Sequence, residues 1–201
     1  METLYLETTI VGHLTGRLLT DPIVASRQQL TREWWTQCAG QYDLFISQLV
    51  IDECGAGAAS AAGERLNVIQ SLPLLDATLE TDLLAAALIA AKAIPETEPR
   101  DAFHISIAAT NGVKYLLTWN FKHIANATLR KRIERSPVIS RKQRETTITH
   151  GLQNWRNKKK RSQRRSKKQP VLGEGNASNR IQSAFAKTSR MRSPERSKQL
   201  P

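Results

Sequence analysis

The chain has 201 residues, enough for one domain and an appendage, and its 30 Lys+Arg against 18 Asp+Glu give a formal net charge of +12. The excess is uneven: residues 1–135 hold 12 Lys+Arg and 15 Asp+Glu, a net of −3, whereas residues 136–201 hold 18 and 3, a net of +15. The longest apolar run, Leu83 to Ala91, is too short to span a bilayer, which needs roughly 20 apolar residues, and two cysteines, Cys38 and Cys54, make no disulfide framework or paired metal spacing.

Met1-Glu2 leads directly into a strand-like run with no secretory signal pattern, so a soluble, cytoplasmic protein with two buried thiols is expected. Leu4-Tyr5-Leu6 reads as a short strand, and Thr8 and Thr9 offer N-cap hydroxyls to a helix starting near Ile10. From Pro22, the residues Ile23, Arg27, Leu30 and Trp34 recur at helical spacing. Trp34 falls on the apolar stripe and is expected to pack, with Trp35 beside it exposed. Leu44-Phe45-Ile46 is a second strand, Ser47 a cap for a helix Leu49–Cys54, and Gly55 to Gly63 an interruption before helix resumes over Glu64–Ser71.

Leu72 to Asp76 reads as a short strand, and Pro73 argues for a sheet edge. Thr78 to Ile94 is an Ala/Leu-rich helix ended by Pro95. A helix over Asp101–Asn111 is stopped by Gly112, and a strand runs from Val113 to Trp119. One more helix is expected over His123–Arg135, and an edge strand at Pro137–Ser140. Alternating strands and helices predict an α/β fold, a three-layer α/β/α domain with a parallel central sheet over residues 1–140. Residues 141–201 form a basic tail, expected to be mostly disordered from about residue 145 because it holds too little apolar material to offset its ordering entropy.

Three lone carboxylates, Glu7, Glu53 and Asp101, fall where a strand-like or buried stretch gives way to helix, and an amide, Asn120, holds a fourth such place. Parallel α/β folds gather these junctions at the carboxyl edge of the sheet. Acids gathered there repel one another unless a cation lies between them, and Mg²⁺ or Mn²⁺ takes such oxygen ligands and activates water for phosphodiester hydrolysis. Taken singly, each acid reads equally well as a helix-start residue favoured by the macrodipole. Asp52 adjoins Glu53, but neighbours on a helix point about 100° apart, so one of the two faces the site.

Asp101 and His104 share a helix face, and His104 is expected to orient a neighbour rather than bind metal. His123 and Asn126, also three apart, either contact RNA or support the turn after Asn120. The hydroxyls of Thr8 and Thr118 either bond the site's carboxylates or close turns, and Trp119 walls the pocket. Arg100 meets a phosphate or is a loop charge, and His13 reads as a surface residue.

The segments Tyr5–Thr9, Leu49–Glu53, Asp101–Ile105 and Leu116–Asn126 together resemble PIN-domain proteins, and more closely the VapC-type toxins of bacterial toxin–antitoxin pairs. The resemblance covers about residues 3–135, and the Thr118-Trp119-Asn120 and His123-Ile124-Ala125-Asn126 runs are its most distinctive part. It implies a metal-dependent endoribonuclease in which Glu7, Glu53 and Asp101 hold Mg²⁺ or Mn²⁺. Family position favours Glu53 over Asp52. Asn120 stands where many PIN domains carry a fourth acid, which lowers the site's charge by one. RNA, a cognate antitoxin and a second copy of the chain are the partners implied.

The tail adds nonspecific affinity for polyanions, with a slope of about −0.7 in log K against log[salt] per phosphate neutralised on single strands. It is also where the resemblance stops: Pro137-Val138-Ile139-Ser140 matches the start of the usual terminal strand, and the sequence from Arg141 does not. The alternative function is a catalytically idle PIN-like protein that binds nucleic acid through this tail.

Overall fold

A computed structural model describes residues 1–126 and 147–149, all within the unit Met1–Lys158. Five strands form one sheet: β1 (Glu2–Leu6), β2 (Tyr42–Ser47), β3 (Leu74–Leu75), β4 (Tyr115–Leu117) and β5 (Thr147–Thr149). Their order is β3-β2-β1-β4-β5, and every adjacent pair is parallel. The helices among the described residues are α1 (Thr8–Thr15), α2 (Pro22–Gln37), α3 (Gln48–Gly55), α4 (Ala59–Ile69), α5 (Leu79–Ala90) and α6 (Pro99–Thr110). The expected α/β fold is therefore observed.

The strand order explains the layering. The connections β1 to β2 and β2 to β3 step in one direction, and β3 to β4 steps back past both. Right-handed crossovers then put α1 to α4 on one face and α5 and α6 on the other. The helix contacts agree: α1 packs on α2, α3 and α4, and α3 on α4, while α5 packs on α6. The direction of winding reverses between β1 and β4, where open parallel sheets leave a crevice at their carboxyl ends.

Burial follows the sequence pattern. Tyr5, Leu6, Ile46, Leu116 and Leu117 are fully buried in the sheet, and Ile10, Val11, Trp34, Leu84, Leu88, Ile105 and Ile107 pack from the helices. Both thiols are buried. Trp35 is half-buried against the core rather than exposed. As expected, β3 lies at a sheet edge.

Several local expectations change. The helix after β1 starts at Thr8 rather than near Ile10, with Glu7 at its N-cap position. Ser47 makes no cap bond for α3, because its hydroxyl bonds the Tyr5 hydroxyl at 2.7 Å. Helix α4 starts at Ala59, inside the small-residue run: alanines tolerate helix well, and Arg65 ties the turn by donating to the Cys54 and Ala56 carbonyls. Helix α5 ends at Ala90, four residues before the expected stop. Lys92 takes a left-handed conformation (φ 54°), its amide donates to Ile89 O, and the Ala93 amide donates to Leu88 O. That pair of bonds is a Schellman stop built without glycine. Gly112 (φ 65°) ends the turn after α6 as expected.

The expected strand Val113–Trp119 is paired over Tyr115–Leu117. β5 falls beyond residue 140, inside the stretch read as tail, and its backbone pairs with all three residues of β4. The helix expected over His123–Arg135 lies beyond residue 126 for most of its length. Pro137–Ser140 and the tail from residue 150 also lie outside the described residues. Among the described residues, no helix is long and apolar enough to cross a membrane.

Candidate metal centre

Glu7 follows the last residue of β1, and its amide still donates to Leu117 O of β4 at 3.1 Å. Its carboxylate is therefore held at the crevice between β1 and β4. Two threonines fix it there. Thr9 Oγ1 accepts the Trp119 amide (2.8 Å) and donates to Glu7 Oε2; Thr118 Oγ1 accepts the Asn120 amide (2.8 Å) and donates to the same oxygen at 2.7 Å. Glu7 is 4% exposed. Burial raises its pKa above the ordinary carboxylate value, against the opposing pull of His104 and the two hydroxyls.

Glu53 arrives from α3, the helix after β2. Its Oε2 accepts the Thr8 hydroxyl and a 3.0 Å bond from His104 Nε2, and its Oε1 lies 3.7 Å from Arg100 Nη1. Burial pushes the Glu53 pKa up, but the hydrogen bonds from His104 and Thr8, with the nearby Arg100 charge, outweigh it and hold the carboxyl below its ordinary value. Asp52 instead points out, where Gln48 Nε2 donates to it at 2.8 Å. Of the two neighbours, Glu53 is the one that faces the site.

Behind Glu53 lies a chain that sequence reasoning missed. The Tyr5 hydroxyl is 2.8 Å from His104 Nδ1 and 2.7 Å from Ser47 Oγ. With Nε2–H donating to Glu53, Nδ1 of the neutral imidazole accepts from Tyr5, a tautomer assigned from these partners. The signal was a tyrosine in an otherwise apolar buried strand, since a buried phenol needs a hydrogen-bond partner. His104 thus hydrogen-bonds Glu53 through one ring nitrogen and Tyr5 through the other.

Asp101 sits in the first turn of α6. Its Oδ1 accepts Asn120 Nδ2 at 3.0 Å, and its Oδ2 lies 2.8 Å from His123 Nδ1. Asn120 Oδ1 in turn accepts the His123 amide at 3.0 Å, so the asparagine braces both partners. Glu98 Oε1 approaches His123 Nδ1 at 4.0 Å, a neighbour that sequence reasoning did not single out. Asn126 Nδ2 donates to Lys122 O within its own turn.

The expected acids therefore divide into two groups. Ligand atoms of Glu7, Glu53 and His104 lie within 4.8 Å of one another, and so do those of Glu98, Asp101 and His123. The groups are linked: Asp101 and His104 share α6, and Thr118 with Asn120 connects Glu7 to Asp101. Either donor set, carboxylate oxygens with one imidazole, suits a divalent cation. A cation beside Glu7 would also offset the cost of ionising a buried carboxylate.

Comparison of the chain with protein-family models, with curated proteins and with solved structures finds no match.

The remaining candidates have structural roles. Trp119 is buried, and its indole N–H donates to Thr31 Oγ1 at 2.8 Å. Arg27 lies over Trp119 and Phe121 at 5.6 and 5.1 Å from the ring centroids. His13 is half-buried rather than superficial, with Nδ1 2.7 Å from Thr9 O and its ring 5.9 Å from that of Trp119. Burial pushes the Cys54 thiol up to about 11, which leaves it unreactive.

Proposed function

We propose that the protein is a divalent-metal-dependent endoribonuclease of the PIN type, acting as the toxin of a toxin–antitoxin pair. The observation that carries this reading is the convergence of Glu7, Glu53 and His104 at the carboxyl ends of β1 and β2, hydrogen-bonded through Thr118 and Asn120 to Asp101. The motif resemblance supplies the substrate class. Glu7 and Glu53 would hold Mg²⁺ or Mn²⁺, with Asp101, in the neighbouring group, as the third acid of the site. Such an ion polarises a phosphoryl oxygen and lowers the pKa of a bound water.

The chain's own residues prepare that chemistry. Thr9 and Thr118 fix Glu7, and Thr8 with His104 fixes Glu53. Asn120 and His123 orient Asp101 so that its carboxylate is held on both oxygens. Arg100, 72% exposed, supplies the positive charge at the rim that an incoming phosphate meets. RNA is the substrate on this reading, and an antitoxin and a second copy are the protein partners.

The test is cleavage of single-stranded RNA by the full chain with Mn²⁺ or Mg²⁺, against a chelator control. Activity is expected with metal, lost with chelator and lost in Asp101→Asn. Cleavage unchanged in that variant would overturn the assignment. The second reading, an idle nucleic-acid-binding module, draws on Asn120: an amide bonded to Asp101 stabilises that carboxylate without an ion. On that reading RNA binds through the +15 segment and no condition yields cleavage.

A further inference from the structure

Beside the acidic crevice lies a cavity of about 360 Å³, at the small end of the range of about 300–1,000 Å³ for small-molecule sites. Three segments meet there. Ser47, Gln48 and Leu49 come from the carboxyl end of β2 and the start of α3, Leu75 and Ala77 from the end of β3, and Pro99, Arg100, Phe103 and Ile107 from one face of α6. Its walls are largely apolar. The exceptions are Arg100, whose guanidinium lies 3.7 Å from Glu53, Ser47, whose hydroxyl bonds Tyr5, and Gln48, whose side-chain amide bonds Asp52. The cavity and the acidic crevice therefore share a wall.

From this geometry, and resting on the nuclease reading above, we propose that the cavity is a nucleobase subsite, which seats the base of a nucleotide adjoining the phosphate held at the acids. Three features select a base over another occupant. Phe103 and Pro99 offer flat apolar surfaces, on which any base stacks through its π-face. The exposed Arg100 head group stands between cavity and carboxylates, where the backbone of the same strand must pass, and it matches a phosphate there. The polar residues of the lining are few, and Ser47 and Gln48 are already bonded to Tyr5 and Asp52, so the slot favours stacking over reading one base edge. The expected outcome is a position-specific requirement for a base, with weak discrimination among bases.

The test uses the full chain and short single-stranded RNAs in which an abasic nucleotide is moved through every position. Binding is measured by fluorescence anisotropy without metal, at salt high enough to weaken phosphate contacts made by the basic segment. One abasic position is expected to lose about tenfold in affinity, the size of one stacking contact. Ala77→Trp, at an exposed loop position, fills the cavity and should abolish that difference, while Phe103→Leu keeps the apolar volume and should shrink it. Thermal melts establish that each variant is folded. Equal binding at all abasic positions, or a loss that survives Ala77→Trp, overturns the subsite. Cleavage of the same RNAs in Mn²⁺ separates the two claims. A wild-type chain that cleaves without an abasic signature refutes the subsite alone, and one that shows the signature but never cleaves refutes the nuclease reading alone.

Discussion

His104 Nε2 lies 3.0 Å from Glu53 Oε2, and the far side of the same ring meets the Tyr5 hydroxyl at 2.8 Å. The imidazole is 1% exposed, so its orientation is set by these two bonds and by packing. Such a residue acts on a metal site through its neighbour. His104→Ala should weaken Mn²⁺ binding by about 10- to 100-fold, the usual cost of losing a partner that orients a ligand. Tyr5→Phe leaves Nδ1 and Ser47 Oγ short of a partner in the core and should cost about 1–3 kcal/mol of stability. Calorimetric titration with Mn²⁺ and denaturant melts read the two effects separately. Unchanged metal affinity in a folded His104→Ala protein would remove the histidine from the site.

Glu7 should show the conflict between stability and function. Its folded-state pKa is raised by burial, so its contribution to stability is fully present below the unfolded value, about 4.3, and is lost as pH rises through the folded value. Near neutral pH the ionised carboxylate therefore destabilises the metal-free fold. Glu7→Gln keeps an oxygen for Thr9 and Thr118 without the charge. The variant should melt higher than wild type at about pH 7.5, by roughly 0.5–2 kcal/mol, the scale of a single stabilising substitution. That advantage should fade as pH falls towards 4.3. Adding Mn²⁺ should stabilise wild type and leave the variant unmoved. Thermal melts across pH, with and without metal, check all three; a variant less stable than wild type at neutral pH would refute the electrostatic argument.

Asn120 donates to Asp101 Oδ1 at 3.0 Å, in a place where an acid would repel it. Asn120→Asp keeps an acceptor for the His123 amide but sets two carboxylates face to face. The metal-free variant should therefore melt lower than wild type, and Mn²⁺ should recover more stability in it, because the added charge favours the ion. The reading fails if the metal-induced rise in melting temperature is no larger in the variant than in wild type.

Much of this site is legible in residue order. Glu7 directly follows the apolar strand β1 and Glu53 lies on α3, the helix after β2, and parallel topology alone brings such junctions to one edge. The pairing of acids is not legible, because side-chain reach decides it. Asp101 turns towards His123 and Glu98, and Glu53 towards His104, and one residue's rotation on a helix separates those outcomes. Tyr5 and Ser47 escaped because their partners lie 99 and 42 residues away in sequence. β5 escaped because Thr147-Ile148-Thr149 holds one apolar residue in a basic stretch, so its pairing with β4 leaves no periodic signal.

Lys92 offers a test of the fold that is independent of metal or RNA. It stands at the left-handed position of the stop that ends α5, with φ 54°. An L-residue pays roughly 1–2 kcal/mol for that conformation, because its Cβ crowds the following carbonyl, and glycine does not. Glycine also loses more chain entropy on folding, about 0.5–1 kcal/mol relative to alanine, which cancels part of the gain. Lys92→Gly should therefore raise stability by about 0.5–1 kcal/mol, while Lys92→Val, β-branched, should lower it. Urea melts of the three proteins give the order directly. The order Gly above Lys above Val is expected if the Ile89 and Leu88 carbonyls are capped by the amides of Lys92 and Ala93. Equal midpoints would mean that α5 does not end in this turn.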